Sequence, residues 1–160
     1  MAVDMFLDLD GVKGESVDKA HKDKIDILAW QWGLANSGTF HHGSGGGSGK
    51  AAFQDISVVK FTDKATADLM LVCANGKHIA KGVLTCRKAG EKPLEYMKIT
   101  MTEILVSSLS TGSAVDDERH TETVTLNFAK VKVEYFMQNA QGSKEPGGEM
   151  AFDIAGNAKD

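Results

Sequence analysis

The chain has 160 residues, of which 42% are apolar and 25% charged, with a formal net charge of −4 at pH 7. That make-up fits one globular domain that buries about two-thirds of its unfolded surface and needs neither a disulfide framework nor a structural metal. The 18 Lys and Arg are scattered among 22 Asp and Glu rather than clustered, which argues against nucleic acid as a partner.

The N-terminus, Met1-Ala-Val-Asp-Met-Phe-Leu-Asp-Leu-Asp10, has no basic lead and interrupts its apolar residues with carboxylates, so no cleavable secretory leader is expected. Met5–Leu9 alternates apolar and polar residues and reads as a strand, followed by a polar turn over Gly11–Lys24. Ile25–Leu34 reads as a second strand, with Leu28, Trp30, Trp32 and Leu34 on one face. Ile25 and Ile27 fall on the other face, and that phase change predicts a bulge or a strand covered on both sides. Two tryptophans in one strand could cage a ligand, but at about 150–250 Å² each they are more simply the bulk of a β core. Gln31 and Gly33 then face the other side of the sheet.

From Ser37 to Ala52 the sequence runs Ser-Gly-Thr-Phe-His-His-Gly-Ser-Gly-Gly-Gly-Ser-Gly-Lys-Ala-Ala, with six glycines and three serines. A compact domain joins neighbouring strands with roughly 2–5 residues, so residues 37–52 read as a long protruding loop. Fixing Gly38–Lys50 costs on the order of 13–26 kcal/mol of backbone entropy, at about 1–2 kcal/mol per residue. Doubled back as an arm, the segment reaches roughly 20 Å. With no core of its own, it is expected to be ordered from outside its own subunit, by further copies of this chain.

Ile56–Phe61 reads as a third strand, and a helix follows it. Asp63 is the expected N-cap, Leu69, Met70, Val72 and Cys73 form the apolar stripe, and Asn75-Gly76 supplies the stop. The remainder is β-rich: Lys77–Lys88, a turn over Ala89–Pro93, Leu94–Ser107, and Thr121–Phe136. In the last of these the apolar phase switches from Val124, Leu126 and Phe128 to Val131, Val133 and Tyr135. Gln138–Gly148 reads as a loop, and Met150, Phe152 and Ile154 mark a short final strand. No stretch approaches the roughly 20 apolar residues that cross a bilayer. The elements predict a mainly β, antiparallel barrel or sandwich with one helix packed against it.

Chemistry-bearing patterns fail one by one. A phosphate-binding P-loop needs Gly where Ser44 stands and Ser or Thr where Ala51 stands. Adjacent His41 and His42 cannot easily aim at one metal, and the loop offers no Cys, Asp or Glu to complete a site. Asp8-Leu9-Asp10-Gly11 begins like a calcium loop, but its glycine is early and Lys19 stands where the closing Glu belongs. His21, His78 and His120 are isolated beside charged residues and read as surface histidines. Cys73 and Cys86 read as buried small hydrophobes, suited to a reducing cytoplasm. No catalytic, cofactor-binding or metal-ligating residue is expected.

The order of segments resembles the haemolysin-coregulated proteins, exported tube subunits of bacterial type VI secretion systems. The residues that carry the likeness are Met1–Leu7, Gly14-Glu-Ser16, Leu28-Ala-Trp-Gln-Trp-Gly33 and Asn36-Ser-Gly38, then Gly76–Ile79, Leu84–Gly90, Glu95–Thr100, Glu103–Ser108 and Thr125–Tyr135. The resemblance implies a two-sheet β-barrel with one helix over residues 1–160. It further implies a homohexameric ring that stacks into a tube, shelters effector proteins in its lumen, and meets sheath and spike proteins of the same machine. Export from the cytoplasm without a signal peptide is implied too. It assigns Gln31 to the lumen, and Thr39, Phe40, His41, His42 and Lys50 to contacts between subunits or stacked rings. The competing expectation is a small β-barrel holding an apolar ligand beside Trp30 and Trp32; an enzyme comes last.

Overall fold

In the computed structural model, residues 2–38, 40–41 and 49–160 are described. Their elements in order are β1 (Val3–Leu9), β2 (Ile25–Asp26), β3 (Ala29–Gln31), β4 (Leu34–Ala35), β5 (Ala52–Phe53), β6 (Ile56–Phe61), α1 (Ala65–Asn75), β7 (Ile79–Lys88), β8 (Leu94–Gly112), β9 (Thr121–Gln138), β10 (Lys144–Asp153) and β11 (Ala158–Lys159). All pairings are antiparallel, in the order β11-β10-β9-β8-β7-β1-β2, with β6 also on β9 and β3 on β6.

The long strands β8 and β9, of 19 and 18 residues, belong to both halves of the fold. Thr121–Leu126 of β9 lies between β6 and the end of β8, whereas Lys130–Gln138 lies between β10 and the start of β8. At the join the buried set changes phase, from Val124, Leu126 and Phe128 to Val131 in β9, and from Ile99 and Met101 to Ile104 and Val106 in β8. Glu103 takes up the odd residue with φ 55°, a left-handed conformation uncommon outside glycine. The phase switch visible in β9 is therefore a bend that lets one pair of strands wrap a single core.

The sheet remains open. One path of hydrogen-bonded strands ends at β2 and the other at β3, so the expected closed barrel is corrected. The cause lies in Ile25–Leu34, which is three short pieces rather than one strand. Ile27 N–H donates to the Met5 carbonyl (2.9 Å) while Leu28 N–H donates to the Val59 carbonyl (2.8 Å), so the chain leaves one edge and joins another between adjacent residues. Ile25 and Ile27 are buried, whereas Leu28 and Leu34 are 43% and 53% exposed and do not share the inward face expected of them.

The helix starts where Asp63 Oδ1 accepts from the Ala65 N–H (2.9 Å) and Asp63 N–H donates to Thr66 Oγ1 (3.1 Å), a reciprocal cap on orphan donors. Gly76 stops it in the left-handed region at φ 70°. Leu69, Val72 and Cys73 pack on the core, but Met70 is 41% exposed and lies off the inward stripe. Cys86 is buried and Cys73 only partly so; burial pushes the Cys86 thiol up. The expected loop over Gln138–Gly148 is mostly strand: a turn at 139–143 leads into β10. Pro146 and Gly147-Gly148 are tolerated there through a bulge beside Phe136 and Tyr135.

Candidate functional site

The half-sheet β3-β6-β9-β8 has one face on the core and one turned away from it. Ile56, Val58, Val124, Leu126 and Val106 point inward and are buried. By the two-residue period of a strand, the other face carries Ala29 and Gln31, Ser57 and Val59, Thr121, Thr123, Thr125 and Asn127, and Ser108 and Ser110. These strand residues are uncharged, but Phe61 continues the same face of β6 and the Arg119 guanidinium lies over its ring, 3.7 Å from the centroid. Gln31, Ser57, Thr125 and Ser108 stand in one row across the four strands. Gln31 is exposed there.

At the margin Asp55, just before β6, gathers this face's polar groups. Ser107 Oγ donates to Asp55 Oδ2 at 2.6 Å and Asn127 Nδ2 donates to Oδ1 at 2.8 Å. Thr125 Oγ1 lies 2.7 Å from Ser107 Oγ and 2.6 Å from Ser108 Oγ. The cluster depends on the β8–β9 bulge between Val106 and Ser108, which puts both serines on the outward side.

Beside Asp55 rises the arm. Its stem is a two-stranded ladder, Leu34 opposite Phe53 and Ala35 opposite Ala52. Asn36 Nδ2 extends it by donating to the Gly49 carbonyl at 2.8 Å, and Gln54 N–H donates to the Gly33 carbonyl at 2.9 Å. Trp32 anchors the base, donating from Nε1 to the Gln54 carbonyl (2.8 Å) and packing on Phe53 and Phe128 at 6.1 Å between ring centroids. Phe53 in turn stacks on Phe152 at 5.3 Å. The two ends of the loop are thus ordered on their own subunit, which corrects the expectation that all of 37–52 depends on a partner. Beyond the stem Phe40 is 80% exposed and His41 and Lys50 are also exposed. Thr39 and His42, the other two expected contact residues, lie outside the described residues.

Behind the half-sheet is a polar network the sequence reading missed. Lys60 Nζ, wholly buried, pairs with Glu122 Oε2 (2.8 Å) and Asp63 Oδ1 (2.9 Å) and donates to Thr66 Oγ1 (3.3 Å). Glu122 also accepts from Thr62 Oγ1 and Thr66 Oγ1, both at 2.9 Å. Burial alone would raise the Glu122 pKa, but the bonds from Lys60, Thr66 and Thr62 together hold it below the usual value. A second cluster pins the Gly11–Lys24 segment. Arg87 bonds both oxygens of Asp18, reaches Asp4 at 3.1 Å and lies over the Phe6 ring. His21 stacks on Phe6 at 4.4 Å and its Nε2 lies 2.8 Å from Glu95, so it is a packed residue, not the surface histidine expected. Among the described residues no group of three or more His, Cys, Asp or Glu is arranged to hold a metal.

A family model described as "Type VI secretion system effector, Hcp" matches residues 6–135. The protein hcp1 of Pseudomonas aeruginosa is 53% identical over 148 residues, 92% of this chain and 91% of that one. The chain belongs to the Hcp family of type VI secretion proteins. The crystal structure of Hcp1 from Salmonella typhimurium is similar at TM-score 0.82 and 37% identity, covering 100% of both chains. That of a type VI secretion system effector from Yersinia pestis is similar at TM-score 0.76 and 31% identity, over 94% of this chain and 99% of that one. The open sheet with its single described helix is thus an Hcp fold, and the uncharged face and the arm are the features of this Hcp protein left to explain. Among the described residues no helix is long and apolar enough to cross a membrane.

Proposed function

We propose that this Hcp protein is a structural tube subunit with no catalytic role. Six copies close into a ring, rings stack, and the type VI machine drives the tube from the cytoplasm with effector proteins carried in its lumen. Sheath and spike proteins would be its other partners. One observation carries this reading: the uncharged half-sheet is bounded by two edges that no described strand occupies. Among the described residues Ala29–Gln31 of β3 pairs only with β6, and beyond Ile104 no strand pairs the edge of β8 away from β9. Two different open edges on one molecule suit a head-to-tail contact, which generates a ring when the rotation closes. The accessible surface supports it as well. At 9706 Å² it exceeds the roughly 7,800 Å² of a compact monomer of this mass.

In that arrangement the uncharged face lines the lumen with Gln31 on it, and the arm, with Thr39, Phe40, His41, His42 and Lys50, meets neighbouring subunits or the next ring. The ligand-binding alternative loses ground because Phe53 and Phe128 fill the space beside Trp32. Native mass measurement and negative-stain images test the reading. A hexameric annulus is expected, and deletion of Gly43–Gly49 should weaken stacking while leaving the circular dichroism of the protomer intact. A strictly monomeric protein at micromolar concentration, or stacking indifferent to the deletion, overturns it.

A further inference from the structure

The polar chain at the foot of the arm has a direction. The Ser107 hydroxyl has two acceptors in reach, the Thr125 carbonyl at 3.2 Å and Asp55 Oδ2 at 2.6 Å, and the shorter bond to the carboxylate, which can only accept, takes its hydrogen. Thr125 Oγ1, 2.7 Å from Ser107 Oγ, must then donate to it, and Ser108 Oγ, 2.6 Å from Thr125 Oγ1, must donate to Thr125. Every hydroxyl hydrogen in the chain points toward Asp55. What faces a visitor is therefore lone pairs, ending at a carboxylate with no ion-pair partner among the described residues. Gln31 and Ser57 continue the same row, where an amide and a hydroxyl can donate as well as accept; the row spans roughly 14 Å at about 4.8 Å per strand.

We propose that this hydroxyl chain of Ser107, Thr125 and Ser108, with Asp55 at its end, is a contact surface for Arg and Lys side chains of a protein carried against the face. A guanidinium brings five donors and an ammonium three, neither with an acceptor, and bonds to an ionised partner are about twice as strong as neutral ones. At this chain an acidic partner would meet lone pairs and a charge of its own sign. The assignment of this partner as cargo rests on the face lining a lumen; the chemistry of the row does not. In a closed ring the Asp55 side chains would form one acidic band, at the opposite end of β6 from Arg119 over Phe61.

The test uses fluorescein-labelled Arg-Gly-Arg-Gly-Arg and Glu-Gly-Glu-Gly-Glu, with anisotropy read on the full chain at about 50 mM salt, where screening is weak. The Arg peptide is expected to bind and the Glu peptide not to. Asp55→Asn should weaken Arg-peptide binding by roughly tenfold, the scale of one lost charge-assisted hydrogen bond. Asp116→Asn, which removes the same charge from the exposed β8–β9 hairpin, should change it by less than about twofold. Ser108→Asp, at an exposed position, should tighten it. Equal losses in the two Asn variants, equal affinity for both peptides, or no binding at all overturns the proposal. Native mass measurement on the same samples separates it from the ring: Asp55-dependent binding by a monomer sinks the tube and keeps the surface, whereas hexamers indifferent to Asp55→Asn do the reverse.

Discussion

Lys60 provides the sharpest test of how this fold is held together. Its ammonium is fully buried and serves two carboxylates, Glu122 and Asp63, and one hydroxyl, Thr66. Replacing it with Met leaves two acids facing each other without a cation, and breaking a buried pair in this way costs about 3–5 kcal/mol. At about 2–4 °C per kcal/mol for a chain of this size, the melting temperature should fall by roughly 6–20 °C. Glu122→Gln is gentler, because Lys60 keeps Asp63 and the amide oxygen can still accept; about 1–3 kcal/mol is expected. The network also fixes an acid limb. Since the Glu122 pKa is lowered in the folded protein, its stabilisation is complete above the unfolded carboxyl's pKa and disappears as the pH falls through the folded value. Urea unfolding followed by Trp30 and Trp32 fluorescence, at one protein concentration and at pH 7 and below 4.5, measures both effects. A Lys60→Met protein within 1 kcal/mol of wild type, or Glu122→Gln costing more than Lys60→Met, would refute the reasoning. So would an acid limb unchanged in Glu122→Gln.

Arg87→Met should release the Gly11–Lys24 segment, raising hydrogen exchange at the Gly14, Ser16 and Asp23 amides by roughly tenfold while the β7–β8 ladder stays protected. In wild type Arg87 holds the Asp18 carboxyl down at about 2, so the segment stays pinned as the pH drops past the ordinary 3.8 and loosens only as the pH falls through about 2. Exchange rates unaffected by the substitution would show that the packing of Phe6 and His21 is sufficient. Gly82→Ala would place a Cβ 2.6 Å from Leu9 Cδ2 and 2.7 Å from Ile104 Cδ1, both in the core. Overpacking of that kind costs about 1–3 kcal/mol, whereas Gly112→Ala, with no atom within 4 Å, should stay within about 0.5 kcal/mol by the same unfolding assay.

Alternation of apolar and polar residues made β1, β6, β7 and β9 legible, because each has one face on the core. The two misread stretches have different causes, breaker residues in one and a change of pairing partner in the other. Pro146-Gly147-Gly148 reads as loop, yet β10 has β9 on one side and a largely bare edge on the other, where a proline and a bulge are tolerated. Ile25–Leu34 reads as continuous, yet its residues bond to β1 and then to β6; only tertiary pairing reveals the crossing. The buried network did leave a signal. Lys60 is in phase with Ile56 and Val58, and Glu122 with Val124 and Leu126, so opposite charges occupy inward positions of two strands that pair. Asp55, Ser107 and Asn127 left none, since their meeting depends on the register of β8 and β9 and on a bulge. His21 misled because its sequence neighbours are charged while Phe6 and Glu95 come from distant strands.

The two long strands themselves argue that their halves face different surroundings. Past the bend, the outward side of β9 changes from Thr121, Thr123, Thr125 and Asn127 to Lys130, Lys132 and Glu134, and β8 contributes Lys98. Lys132 there lies 3.5 Å from Glu149 and Lys130 3.6 Å from Asp160, the loose pairs of a solvated surface, each contributing little to stability. The two halves share the strand, the partner β8 and the core, and differ in their second neighbour, β6 before the bend and β10 after it, so strand propensity does not account for the change in composition. A face turned to bulk water gains solubility from charge of both signs. The face whose strand positions omit charge, with Asp55 before β6 at one end and Arg119 over Phe61 at the other, is built for a different neighbour than bulk water.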